Sequence, residues 1–109
     1  AKAKKVEKPK DSRIEILKVN LRPVEKIDIE ERNLPNNTKG LVITKIDNDS
    51  PINYLNPGNI IIEAQKKAIK TIGDLEIAVS AAMKSNEKTL LIVIYNNQNQ
   101  RRYIGVKLN

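Results

Sequence analysis

Two runs of aliphatic and β-branched residues, Leu41 to Ile46 and Asn59 to Ala64, are separated by a segment carrying Ser50-Pro51 and then Pro57-Gly58. Proline lacks the donor and the backbone freedom to continue a strand, and Pro-Gly is a strong turn signal, so the chain must turn twice between these runs. A short apolar piece around Tyr54 and Leu55 lies between the two turns. The pattern of strand, Ser-Pro turn, Pro-Gly turn and strand restricts the chain to a small sheet with a compact crossover.

The rest of the chain is consistent with that restriction. Ile14, Ile16, Val19 and Leu21 suggest one strand kinked near Leu17-Lys18 and stopped at Pro23. Between Val24 and Asn33 one short helical turn is expected, before Leu34-Pro35 and a polar loop from Asn36 to Gly40. Ala68-Ile69 reads as a short strand. Thr71 can cap a helix supported by Asp74, predicted over about 72–85. Leu75, Ala78, Val79, Ala82 and Met83 then share one helix face. Thr89 to Tyr95 is apolar on both faces and predicts a central strand covered twice. The last strand sets Ile104, Val106 and Leu108 on one face, alternating with Tyr103, Gly105 and Lys107. The fold class expected is α+β: a partly open antiparallel barrel with one main helix and a short helical turn. No internal repeat is found.

Composition excludes several functions. The 109 residues suffice for one modest core. The chain has no histidine, which removes a Ser-His-Asp triad and His-metal sites, and no cysteine, which removes thiol chemistry and thiolate ligands. No catalytic residue, cofactor or metal is expected. No apolar run approaches the roughly 20 residues of a membrane span, and no signal-peptide core is present, so the chain reads as a soluble mature domain or excised module.

The net charge of +7 is uneven: residues 1–13 carry six basic against two acidic side chains. This segment, with one proline and little to bury, is expected to be a flexible basic linker, and residues 14–109 the folded domain. Three tyrosines are the sole aromatics, too few for base stacking, so no nucleic-acid partner is expected. Such a partner would bind in a steeply salt-dependent way. Lys66, Lys67 and Lys70 form a basic group near a turn, readable as a solvated face or as a docking site for an acidic partner.

Seven short pieces in order carry a resemblance: Leu17-Lys18-Val19, Leu34-Pro35, Gly40-Leu41-Val42-Ile43, Ser50-Pro51-Ile52, Gly58-Asn59-Ile60-Ile61, Ala64-Gln65-Lys66 and Asp74-Leu75. Together they resemble the PDZ domains of the high-temperature-requirement (Deg-type) serine proteases, over about residues 14–108 and in the bacterial, circularly permuted strand order. The segment between Ser-Pro and Pro-Gly is shorter than usual in that family. Asn59 stands for an aspartate, and Gln65-Lys66 for an Asn-Gly turn.

The resemblance implies a non-catalytic regulatory module, the C-terminal one by preference, of a serine endopeptidase in the periplasm or cell envelope. A hydrophobic protein or peptide C-terminus, or an unfolded segment, would add as a strand beside Val19, Asn20 and Leu21. Leu75, Val79 and Ala82 on the helix would form the opposite wall, and the pocket would lie between Leu17, Val19 and Val79. Lys18 takes the place of a glycine in the loop whose amides would form an anion nest for the terminal carboxylate. It could keep the nest and add charge, or disable it. Leu75 and Val79 could equally be plain core. The alternative function is an interface module that contacts other protease domains or protomers, with a degenerate carboxylate loop. Strand addition needs an unfilled sheet edge beside the helix.

Overall fold

A computed structural model describes residues 12–108. The expected linker lies outside them, apart from Ser12 and Arg13, which belong to the first strand. The elements are β1 (Ser12–Ile14), β2 (Val19–Pro23), α1 (Lys26–Arg32), β3 (Leu41–Ile46), β4 (Ile60–Ala64), β5 (Lys67–Ala68), α2 (Ile72–Lys84), β6 (Thr89–Tyr95) and β7 (Arg101–Lys107). All pairings are antiparallel, in the order β1-β2-β3-β4-β6-β7, with β5 attached to β4. Among the described residues β1 and β7 end this order without meeting, so the sheet is open, which is consistent with the partly open arrangement expected.

The single kinked strand expected over Ile14 to Leu21 is instead a hairpin. The chain reverses over Glu15–Lys18, and β1 pairs back on β2 with Arg13 opposite Asn20 and Ile14 opposite Val19. The reversal puts Ile16 outside, at 44% exposure, while Ile14 is buried.

Local chemistry accounts for the helices. Thr71 Oγ1 accepts from Asp74 N–H at 3.1 Å and the Asp74 carboxylate accepts from Thr71 N–H at 3.1 Å, a reciprocal capping box. The backbone amides of Lys70 and Thr71, both donating to Asp74 Oδ2, hold the Asp74 carboxyl below the usual aspartate range. Helix α1 runs for seven residues, longer than the one turn expected. Asp28 accepts from Glu25 N–H at 2.7 Å at its start, and Asn33 closes it in the left-handed conformation at φ 55°. Arg22 grips the same Asp28 with two bonds of 2.8 Å, which lower the Asp28 pKa. Arg32 donates to Gly58 O at 2.6 Å and Asn96 O at 2.8 Å, so α1 pins two loops.

One face of the sheet packs on α2. The main buried cluster joins Ile14, Leu17, Val19 and Leu21 to Leu75, Val79 and Ala82. A smaller one, of Leu34, Val42 and Ile60, sits with Ile29 of α1 packed against it. Gly40 is required by close approach: a Cβ there would come within 2.6 Å of the Ile61 carbonyl oxygen. Gly58, at φ 97°, makes the Pro-Gly turn in a conformation L side chains rarely adopt. The Gln65-Lys66 turn keeps the glycine-like geometry without glycine, at φ 53° and 68°. Gln65 Oε1 accepts from Leu91 N–H at 2.7 Å, which anchors this turn to β6.

Strand β6 is internal in the order, next to the terminal β7, and it is not covered twice along its length. Leu90, Ile92 and Ile94 are buried, whereas Leu91 on the other face is 48% exposed.

Candidate functional site

The residues singled out from the sequence fall in two groups. Leu17, Val19, Leu21, Leu75, Val79 and Ala82 are all buried and share the main cluster. Lys18 and Asn20 lie at its polar side. The structure therefore brings the helix wall and the strand together, and it does so by direct packing.

Each edge of β2 has a partner. β3 takes one, with Val19 opposite Ile46 and Leu21 opposite Ile43, and β1 takes the other. A strand has two edges for hydrogen bonding, so a guest backbone can join β2 only by replacing β1. β1 runs antiparallel to β2, as a guest entering towards the Lys18 turn would run. Arg13 ties it down, donating to Asp47 Oδ2 at 2.8 Å, Asp47 Oδ1 at 3.3 Å, Asn20 Oδ1 at 3.3 Å and Glu15 Oε2 at 2.7 Å. The guanidinium depresses the Asp47 pKa.

The loop before β2 is bonded from within. Lys18 adopts φ 56°, the left-handed region where glycine is favoured, so the lysine holds the backbone form that the glycine position implies. Its amide is turned inward, donating to Ile14 O at 2.7 Å and Glu15 O at 3.2 Å. The Lys18 carbonyl accepts from Asp47 N–H at 3.0 Å. Its ammonium meets the Asp49 carboxylate at 2.7 Å, which lowers the Asp49 pKa.

Ser50 is a residue whose role sequence reading missed. It is 4% exposed; its hydroxyl donates to Leu17 O at 2.6 Å and accepts from Ile52 N–H at 3.0 Å. The Ser-Pro turn thus braces the Lys18 loop from behind. The signal was present in the Ser50-Pro51 pair, but its partner lies 33 residues away. Asn59 is likewise buried, and its side-chain oxygen accepts from Asn56 N–H at 3.2 Å, holding the Pro-Gly turn.

Lys66, Lys67 and Lys70 are all exposed. Lys67 borders a depression of about 230 Å³ between α2 and the β4–β5 hairpin, and Lys66 borders another on the outer face of the sheet. Among the described residues no group of three or more acidic, histidine or cysteine side chains could hold a metal ion, and no helix is long and apolar enough to cross a membrane.

Comparison with known proteins gives a region, not a whole protein. The chain is 33% identical over 73 residues to the "Probable periplasmic serine endoprotease DegP-like" of Brucella suis biovar 1 (strain 1330). It is 28% identical over 71 residues to the protein of the same description from Bartonella henselae (strain ATCC 49882 / DSM 28221 / CCUG 30454 / Houston 1). These alignments take in 65% and 63% of this chain and 14% of each relative. No family model matches the chain. The chain is thus homologous to a small part of proteins named as periplasmic serine endoproteases, and its open antiparallel sheet with two helices is compatible with a PDZ-like α+β fold.

Proposed function

We propose that this chain is a non-catalytic, PDZ-like module, in the permuted strand order, of a periplasmic serine endoprotease. In this reading it works as an interface between protease domains or protomers, and its carboxylate-binding loop is closed by its own chain. The observation that carries this reading is the placement of β1 on the free edge of β2, with the Lys18 amide bonded to Ile14 O. A terminal carboxylate entering this loop would lose that donor, meet the carboxylates of Asp47 and Asp49, and find no gap between β2 and α2. The homology to periplasmic endoproteases supports the parent and the compartment, and the small share of those proteins covered supports a regulatory part.

A second reading keeps peptide recognition by strand addition beside Val19, Asn20 and Leu21. What favours it is the brevity of β1, three residues held by exposed ion pairs that are individually weak. One titration separates the two. The chain is mixed with peptides ending in an apolar residue, with a free or an amidated C-terminus, and amide shifts are followed by NMR. The interface reading expects no carboxylate-dependent saturation. Saturation that needs the free carboxylate and displaces the β1 amides overturns it in favour of a gated receptor.

A further inference from the structure

The far end of the sheet has an edge of another kind. Among the described residues β7 pairs with β6 alone. The bonds flanking this ladder fix its phase: Leu108 N–H donates to Lys88 O at 2.7 Å, and Asn96 N–H to Gln100 O at 3.0 Å. Antiparallel pairs alternate between bonded and non-bonded. Arg102, Ile104 and Val106 therefore turn their backbone groups towards β6, and Arg101, Tyr103, Gly105 and Lys107 turn theirs outward.

The same four residues are exposed. Edges of this length are usually blunted by a mid-strand charge, a proline or a bulge. The middle of this one, Tyr103-Ile104-Gly105-Val106, has none of these. Gly105 lies opposite Leu91 and leaves it bare. The result is a depression of about 290 Å³ bordered by Leu91, Val93, Tyr103 and Gly105. Tyr103 is 75% exposed and stands beside it, with the Arg101 guanidinium 5.6 Å from its ring centre.

Charge selects the occupant. Arg101, Arg102 and Lys107 flank the apolar middle and outnumber the acidic Glu63, whose carboxylate Arg101 meets at 2.9 Å. A second copy pairing antiparallel about Ile104 would set Arg101 against Lys107, a like-charge cross-strand pair. Residues 1–11 hold five lysines against Glu7 and Asp11, so they have the same sign and are poorly suited to this edge. We infer that the β7 edge docks an extended acidic segment of a partner protein. The segment lies antiparallel to β7, sets carboxylates at Lys107 and Arg101, about 20 Å apart along a strand, and places an aliphatic side chain over Gly105. This site is independent of whether the β2 edge is open or closed.

The probe is the heptapeptide Glu-Thr-Val-Thr-Val-Thr-Glu, acetylated and amidated so that no terminal carboxylate can act. Its control has Lys at both ends. Titration into the whole chain, read by amide shifts and exchange, is expected to perturb and protect Arg101, Tyr103, Gly105 and Lys107. The Lys-ended peptide is expected to bind at least about tenfold more weakly, and the difference to shrink with salt. Gly105→Pro removes an outward N–H at a place where an edge strand tolerates proline, and is expected to weaken binding about tenfold or more. Lys107→Glu, a surface change, leaves each peptide one opposite-charge and one like-charge end contact and is expected to abolish the preference between them. Equal affinity for both peptides, no binding of either, shifts on β2 instead of β7, or an unchanged Gly105→Pro each overturn the inference. So does protection of the β7 amides by self-association in the absence of peptide.

Discussion

The two ends of the sheet put similar apolar sequences to opposite use. At the β2 end, β1 folds over the edge, Arg13 fastens it to Asp47, and Val19 and Leu21 have no exposed surface. At the β7 end, no described strand follows, Tyr103 and Leu91 face solvent, and the outward backbone groups carry no partner strand. Both edges belong to antiparallel ladders and both end near basic residues, so neither pairing type nor charge explains the contrast. What differs is the neighbour on the sheet's face. Beside β2 stands α2, whose Leu75, Val79 and Ala82 complete a buried cluster. On the outer face α1 reaches only the Tyr95 end of β6 among the described residues, and Gly105 supplies no side chain of its own to cover Leu91.

The largest effect should come from the sealed end. Val79→Glu would bury a carboxylate among apolar side chains and is expected to cost about 4 kcal/mol or more in urea denaturation. Near-native stability would mean that Val79 faces an accessible groove, and the contrast between the ends would fail. Leu21→Ala, at a fully buried position, should cost about 3 kcal/mol, whereas Leu91→Ala should cost less than about 1 kcal/mol. Comparable losses at the two positions would show the outer face to be covered in solution.

The glycines sharpen the comparison. A Cβ at Gly40 would press on the Ile61 carbonyl and the Ile60 side chain, so Gly40→Ala should destabilise by about 2 kcal/mol. A Cβ at Gly105 would make ordinary contact with Leu91, 3.7 Å away, and Thr89, 3.8 Å away. Gly105→Val should therefore stabilise by about 1 kcal/mol, measured by thermal unfolding. A loss at Gly105 would mean that the notch is not free.

The smallest effect is on the β1 clamp. Arg13 lowers the folded-state pKa of Asp47 relative to its unfolded value. Its contribution is therefore present above the ordinary aspartate range and lost as pH falls through the depressed value. The protection of the Ile14 and Val19 amides, which bond β1 to β2, should fall as the pH is taken below the ordinary aspartate range, before the buried strands open. If exchange there stays level while the core loosens, the clamp does not hold β1.

Several parts of this arrangement were legible in the residues themselves. The α2 face and its Thr71–Asp74 cap follow from helical spacing and local hydrogen bonding, and both appear as expected. The runs from Leu41 and Ile60 form strands because their β-branched side chains suit a pleated, half-buried surface. The glycine-like geometry at Lys18 and Gln65-Lys66 is implied by the glycine and Asn-Gly positions they occupy in the resemblance, not by the residues themselves, because lysine and glutamine carry no preference for positive φ. The reversal is legible only as a kink near Leu17-Lys18, because no glycine, proline or asparagine marks Glu15 to Lys18 as a turn. Leu91 looked buried because an apolar residue in an apolar run gives no sign that its cross-strand neighbour is a glycine 14 residues later.

Periodicity and turn chemistry act over a few residues, and to that range the chain alone determined its elements, its turns and the apolar face of α2. Which edge of the sheet is filled was decided only when distant segments met. Arg13 must find Asp47, and Ser50 must reach the Leu17 carbonyl, before the Lys18 loop closes. Those bonds join residues 34 and 33 positions apart. Their formation depends on the packed sheet that brings them within reach, which no local pattern in the chain encodes.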